Sequence, residues 1–304
     1  MGLKIADALL GWELRLSANQ RSPKTISNYL ESARHFADWL EASGRSTEVA
    51  SIRRPVIEAY QADQAQTLTR RGQLTSGSTI ASRHRCLKQL FAYLVEDEEL
   101  TASPMAKMPL PKMVEPIVEV VTDRQQRQLL AVVAGSSFVD RRDAALLRFL
   151  IDTGARRAET AGMAVDDVDL RAGTAWVLGK GAKPRLVVFS SETAAAIERY
   201  LRARRAHRWA ASSALWLGER GPLAVDGLAG MVERRAAQAG IGHVHPHQFR
   251  HTWAANMKAA GMQPDEFKAL GGWSTDLMPE RYGRATVVQR ALASGRRIAD
   301  AQHR

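Results

Sequence analysis

A mainly α-helical chain of two domains, with one small antiparallel β-sheet confined to the second, is the fold class this sequence predicts. Three observations carry it. Apolar residues recur at helical spacing over long stretches on both sides of one proline-rich segment. That segment, Ser103 to Pro116, holds four prolines in 14 residues and has no helical period, so it reads as an extended linker. The apolar period switches to a strand-like pattern in one place only, between Thr174 and Phe189. A length of 304 residues leaves room for two domains with cores of their own. The expected bounds are 1–102 for a helical domain, 103–116 for the linker and 117–304 for the second domain.

Each element has a local reason. Ser22-Pro23 supplies a capping hydroxyl and a first-turn proline, and Ile26, Tyr29, Leu30, Ala33, Phe36, Ala37 and Leu40 then follow at helical spacing up to Gly44. A shorter helix is expected from about Pro55. A third runs from about Ser78 to Glu96, with Ile80, Leu87, Phe91 and Leu94 on one face and Arg83, Arg85 and Lys88 on the other. Beyond the linker, Thr122-Asp123 leads into Leu129 and Val133, and Asp140 leads into Leu146, Phe149 and Leu150 before Gly154. The β-rich runs TAWVL and RLVVF, separated by Gly179-Lys180-Gly181-Ala182-Lys183-Pro184, predict a hairpin with a basic turn. Helices resume after Ser191, near Val225 and from about Pro246. After Tyr282 a short helix with Val287, Val288, Ala291 and Leu292 and a basic tail from Arg296 to Arg304 are expected. No repeat or low-complexity tract is present.

Composition narrows the function. Hydrophobic residues at 45% and charged residues at 25% are ordinary for a folded protein and exclude wholesale disorder. The charge is not ordinary: 43 Lys and Arg against 32 Asp and Glu give +11, which points to a polyanionic partner. Most of it lies late in the chain. Up to Lys112 there are 15 basic and 12 acidic residues, a net of +3, and beyond it 28 and 20, a net of +8. Cys86 is the only cysteine, which rules out a disulfide framework and a cysteine zinc site and fits a reducing, cytoplasmic setting. Asp7 and Glu13 interrupt what would be a signal core, no uncharged run of 18 residues exists, and Ala6 stands where myristoylation needs Ser or Thr. No export and no membrane partner are expected.

Four spots in the second domain carry groups suited to cleaving a phosphodiester: Arg156 after Thr153-Gly154, Lys180 in the hairpin turn, His247 with Arg250, and Tyr282. None means much alone. An arginine pair such as Arg156-Arg157 is commonly solvated surface, and a lysine between glycines is commonly a turn residue. His247 and His251 are spaced like zinc ligands, but Gln248 replaces the glutamate of a zinc protease, and Gly179-Lys180-Gly181 is no nucleotide loop. Neither metal nor cofactor is expected. The other tyrosines, Tyr29, Tyr60, Tyr93 and Tyr200, are explained by packing on helices, as are Trp39 and Trp176, and Cys86 reads as an inert small hydrophobe.

The four spots in this order resemble the tyrosine recombinase, or phage integrase, family. TGARRAE matches the first arginine box, with Arg156 and, three residues on, Glu159; GKGAK matches the hairpin lysine, Lys180; HQFR matches the second box, His247 and Arg250. LGGWS then precedes ERYGR, placing Trp273 nine residues before Tyr282. The likeness covers essentially the whole second domain, and the first looks like the family's helical core-binding domain. It implies a site-specific recombinase of the simple, armless type, acting on double-stranded DNA at attachment or core-type sites. It also implies a tetramer on DNA, joined by the C-terminal helix near Ala285 to Ala293, and an accessory DNA-bending or directionality factor.

The residue types suit that chemistry. A phosphodiester under attack gathers charge on its non-bridging oxygens, which the permanently charged forks of Arg156 and Arg250 can hold. Tyrosine is ionised to about one part in a thousand at neutral pH, about 4 kcal/mol short of free phenolate, so Tyr282 needs a base, for which His247 is the candidate. Lys180 is the candidate acid for the departing 5′-oxygen. The product is a 3′-phosphotyrosyl link that conserves the ester energy, so resealing needs no ATP or metal. Trp273 stands where Xer-type members commonly carry histidine; its indole N–H donates one hydrogen bond and cannot serve as base. Glu159 is expected to orient Arg156. Arg83, Arg85, Lys88, Lys183 and Arg185 are the candidate DNA contacts. Trp273 and the ending RYGR favour an integrase of a phage or mobile element; a Xer-type dimer-resolution recombinase is the alternative, and a catalytically inactive DNA-binding regulator the reading from another class.

Overall fold

The computed structural model describes residues 2–69, 72–111, 119–179 and 183–273. The chain divides into two compact units, 1–116 and 117–304. The first is a helical bundle. α1 (Ile5–Ala18) buries Ile5, Leu9, Trp12 and Leu16. α2 (Pro23–Ala42) begins where Ser22 Oγ accepts from the Thr25 N–H at 3.2 Å, with proline in its first turn. α3 (Arg54–Gln66) and α4 (Gly77–Glu96) follow, the latter capped by Ser76. Their apolar faces meet around Phe36, whose ring lies 4.8 Å from Tyr60 and 6.5 Å from Phe91. Burying each such ring stabilises the unit by about 1.5–3 kcal/mol.

Two sequence expectations need correction here. Met105 and Met108 are fully or nearly fully buried in this core, so the early part of the 103–116 segment turns and packs against the helices and is not extended there. Two long apolar side chains on one turn outweigh the proline content around them. Second, the polar face of α4 is not uniform. Arg85 and Lys88 are exposed, but Arg83 is partly buried and donates to Gln64 Oε1 at 2.7 Å.

In the second unit, α5 (Asp123–Ala131) opens with a reciprocal Thr122–Gln125 capping box. α6 (Phe138–Thr153) is the central helix, with Leu146, Leu147, Phe149 and Leu150 completely buried, and it stops at Gly154, which is left-handed at φ 56°. α7 (Arg157–Ala161) is a short turn of helix. β1 (Val168–Asp169), β2 (Thr174–Leu178) and β3 (Pro184–Val188) form an antiparallel sheet in that order, with Trp176 opposite Leu186 and Val177 opposite Arg185. α8 (Ser191–Arg204), packed along α6, and the short pair β4 (Leu217–Gly218) and β5 (Gly221–Pro222) follow. α9 (Val225–Gln238), α10 (Pro246–Ala259) and α11 (Pro264–Gly271) complete the described part.

The fold is the predicted one, mostly helical with small antiparallel sheets. One packing assignment fails: Trp176 is 52% exposed. Strand alternation turns Ala175 and Val177 inward, so Trp176 falls on the outer face with Leu186 and Val188. No helix among the described residues is long and apolar enough to cross a membrane. The expected C-terminal helix lies outside the described residues.

Candidate active site

The site is assembled where α6 ends. Gly154 lets the chain turn sharply, and a Cβ there would sit 2.8 Å from the Trp253 ring, so no other residue fits without a shift. The turn delivers Arg156 to the start of α7. Its N–H donates to Glu159 Oε2 at 2.8 Å and its Nη1 to Oε1 at 2.5 Å, so one carboxylate fixes both backbone and fork. The Glu159 side chain is 2% exposed and that of Arg156 33%, which leaves the guanidinium anchored on one edge and open on the other.

α10 supplies the second box. Pro246 occupies its first turn, Gln248 Oε1 accepts from the His245 N–H at 2.8 Å, and Gln248 Nε2 donates to Glu119 at 3.1 Å. The Val121 N–H donates to Thr252 Oγ1 at 2.8 Å, a second tie between this helix and the segment before α5. Arg250 is 1% exposed; Nη1 donates to the Gly154 carbonyl at 3.0 Å and Nη2 to the Gly271 carbonyl at 2.5 Å. The Trp273 ring lies 4.4 Å from its guanidinium carbon, a cation–π contact, and is itself stacked on Phe267 at 4.7 Å. His247, one turn before Arg250, is exposed, its ring edge-on to His251 at 4.3 Å.

Arg185 requires a correction. It is not an outward DNA contact: its side chain is 8% exposed, Nη2 donates to Glu159 Oε2 at 2.7 Å and Nη1 to the Leu270 carbonyl. The strand puts it on the inner parity with Val187. Lys183, at the foot of the hairpin turn, is exposed, and its carbonyl accepts from the Gly179 N–H at 2.8 Å. Lys180 and Tyr282 lie outside the described residues.

Three arginines thus converge on three successive carbonyls. Arg185, Arg250 and Arg156 donate to Leu270, Gly271 and Gly272 in turn, the last at 3.4 Å. Glu159 is bonded to two of these forks, so one negative charge faces the Arg156 and Arg185 pair, which keeps an excess of one positive charge. Burial pushes the Glu159 carboxyl up, but the hydrogen bond and charge of Arg185, then the bonds from Arg156, outweigh it and hold its pKa below the usual carboxylate value. Such a cradle is suited to an oxyanion. Among the described residues no cluster of three metal-ligating side chains occurs.

The remaining described tyrosines have packing roles. Tyr60 and Tyr200 are fully buried and Tyr93 nearly so, burial pushing up the pKa of each, and Tyr29 stacks on Trp12 at 5.6 Å. Cys86 is buried and its thiol likewise pushed up by burial.

Sequence reasoning missed the part played by Arg185 and the ties from Glu119 and Val121. Alternation along β3 gave no signal for the first, because both faces of the strand carry apolar residues. Nothing in spacing marks the other two, which meet α10 across more than a hundred residues.

A buried acid bonded to two of three arginine forks, in a helical unit with a β-hairpin, is an arrangement suited to a phosphate, and comparison with known proteins names the family it belongs to. The phage integrase family model matches residues 119–288, and the chain belongs to that family, the tyrosine recombinases. It is 30% identical over 285 residues to the tyrosine recombinase XerD of Corynebacterium glutamicum, covering 91% of each chain. It is 28% identical to the tyrosine recombinase XerC of Halalkalibacterium halodurans, covering 80% of each. The Tn1549 transposon integrase, solved with a circular intermediate DNA, shares the fold at a TM-score of 0.74 and 19% identity, over 92% of this chain and 95% of that one.

Proposed function

We propose that this enzyme is a site-specific recombinase that cuts and rejoins duplex DNA, Tyr282 attacking the phosphorus and remaining esterified to the 3′-phosphate while the 5′-hydroxyl departs. The arginine cradle carries this reading. Arg156 and Arg250 hold the non-bridging oxygens, His247 takes the phenolic proton, Lys180 returns one to the leaving oxygen, and Trp273 donates its N–H. Attack by the freed 5′-hydroxyl of a partner strand reverses the step and releases the phenol, so bond energy is conserved. The partner is double-stranded DNA, with a tetramer joined through the C-terminal segment as the active species and an accessory bending or directionality factor directing it. It acts where that DNA lies, in the cytoplasm.

The test is a nicked suicide substrate resolved on a denaturing gel. Wild type should trap a covalent adduct, whereas Tyr282→Phe should bind the DNA equally well and trap none. An adduct from the Phe variant would refute the nucleophile, and no adduct from wild type at its own site would favour an inactive regulator.

Two exchanges fit. Trp273 and RYGR support integration and excision of a phage or mobile element, while likeness to XerD and XerC relatives over 91% and 80% of the chain supports resolution of replicon dimers at least as well. Deleting the gene and sequencing long reads separates them: accumulated dimers mean resolution, and loss of an excised-circle junction means integration and excision.

A further inference from the structure

We propose that Arg185 is a positioning residue for strand cleavage, balancing the charge of Glu159 so that the Arg156 fork stays available to the phosphate; this deepens the recombinase reading and rests on it. Arg185 is too enclosed to touch DNA, and the Glu159 carboxylate is enclosed further. That carboxylate accepts from the Arg156 N–H, Arg156 Nη1 and Arg185 Nη2. Two cations on one anion leave a full positive charge to share, and it emerges at Arg156, the more exposed of the two.

Without Arg185 the buried carboxylate has one cationic partner. The pair then tightens in its low-dielectric setting, and the incoming phosphate meets a neutral ion pair instead of a free fork. The other end of Arg185 works in the same direction. Its bond to the Leu270 carbonyl holds the segment whose next two carbonyls seat Arg250 and Arg156. Contact there is close: a Cβ on Gly272 would lie 2.7 Å from Arg185 Cδ and 3.8 Å from Arg156 Nη1.

Stability alone does not explain the residue. Its Nε–H is buried with no acceptor among the described residues, and buried ion pairs are commonly no more stable than apolar replacements of the same volume. Retaining an imperfectly satisfied guanidinium fits a role in setting charge.

Single-turnover cleavage of the suicide substrate by wild type, Arg185→Met, Glu159→Gln and the double variant tests this, with DNA affinity and unfolding midpoints measured alongside. Arg185→Met should cleave about 10²-fold more slowly, with DNA affinity changed by no more than about twofold. Adding Glu159→Gln should restore at least about tenfold of that loss, because a neutral amide no longer captures Arg156. A purely structural role predicts no such recovery. A folded Arg185→Met that cleaves like wild type, or a double variant no faster than Arg185→Met, would overturn the proposal. If Arg185→Met does not fold, the double variant is compared with Glu159→Gln: similar rates support the proposal, and a further tenfold drop overturns it. Wild type that forms no adduct would overturn the recombinase reading together with this inference, whereas wild-type cleavage with either adverse outcome overturns this inference alone.

Discussion

Glu159 is the residue on which the site's electrostatics turn, and its ionisation ties stability to pH. Arg185 and Arg156 hold the folded carboxyl below its ordinary value of 4.5, against the opposing push of burial. A lowered folded pKa means the unfolded chain binds the proton first as pH falls. The stabilisation is therefore complete above the unfolded value and lost as pH drops through the folded one. Unfolding midpoints in urea should decline for wild type below about pH 5, in the range where an ordinary glutamate begins to protonate, and Glu159→Gln should decline less steeply. Equal slopes in the two proteins would contradict the assignment. Arg156, Glu159, His247 and Arg250 were legible in the sequence because short boxes fix their spacing. Arg185 was not, because in Arg185-Leu186-Val187-Val188-Phe189 both parities are apolar, so alternation alone could not say which side faces inward.

At the scale of elements, capping chemistry made the boundaries readable. Ser22 and Thr122 each accept from the N–H three residues on, at 3.2 and 3.3 Å, and the helices start there. α1 was missed because Lys4 provides no side-chain cap and Leu10 and Leu14 add apolar residues on its exposed side, blurring the stripe. α7 and α11, at five and eight residues, are too short to show a period. The α6–α7 junction yields a sharp expectation. Gly154→Ala would place a Cβ 2.8 Å from Trp253 in a left-handed conformation, combining backbone strain with overpacking. The loss should be about 2–4 kcal/mol of stability, read from the urea midpoint. Because the Gly154 carbonyl seats Arg250, cleavage should fall further than stability alone accounts for, once assayed on the folded fraction.

The whole molecule is a polycation, and its grip on DNA should follow from that. Each phosphate neutralised releases counterions, so log affinity falls linearly with log salt by about 0.9 per contact. A protein of net +11 making six or more such contacts should lose about 10³-fold in affinity or more between 50 and 200 mM salt, measured by fluorescence anisotropy with the full chain. The slope also sorts the basic residues by placement. Arg85, Lys88 and Lys183 are exposed, and replacing any of them that meets a phosphate with alanine should flatten the slope by about 0.9. Arg185, enclosed and bound to Glu159, displaces no counterion, so Arg185→Met should leave the slope unchanged even while cleavage slows. The same substitution thus separates two kinds of cation in one domain, those that hold the duplex and those that set the charge of the site. An Arg185→Met slope flattened as much as that of Lys183→Ala would put Arg185 among the DNA contacts and reverse the reading of its burial.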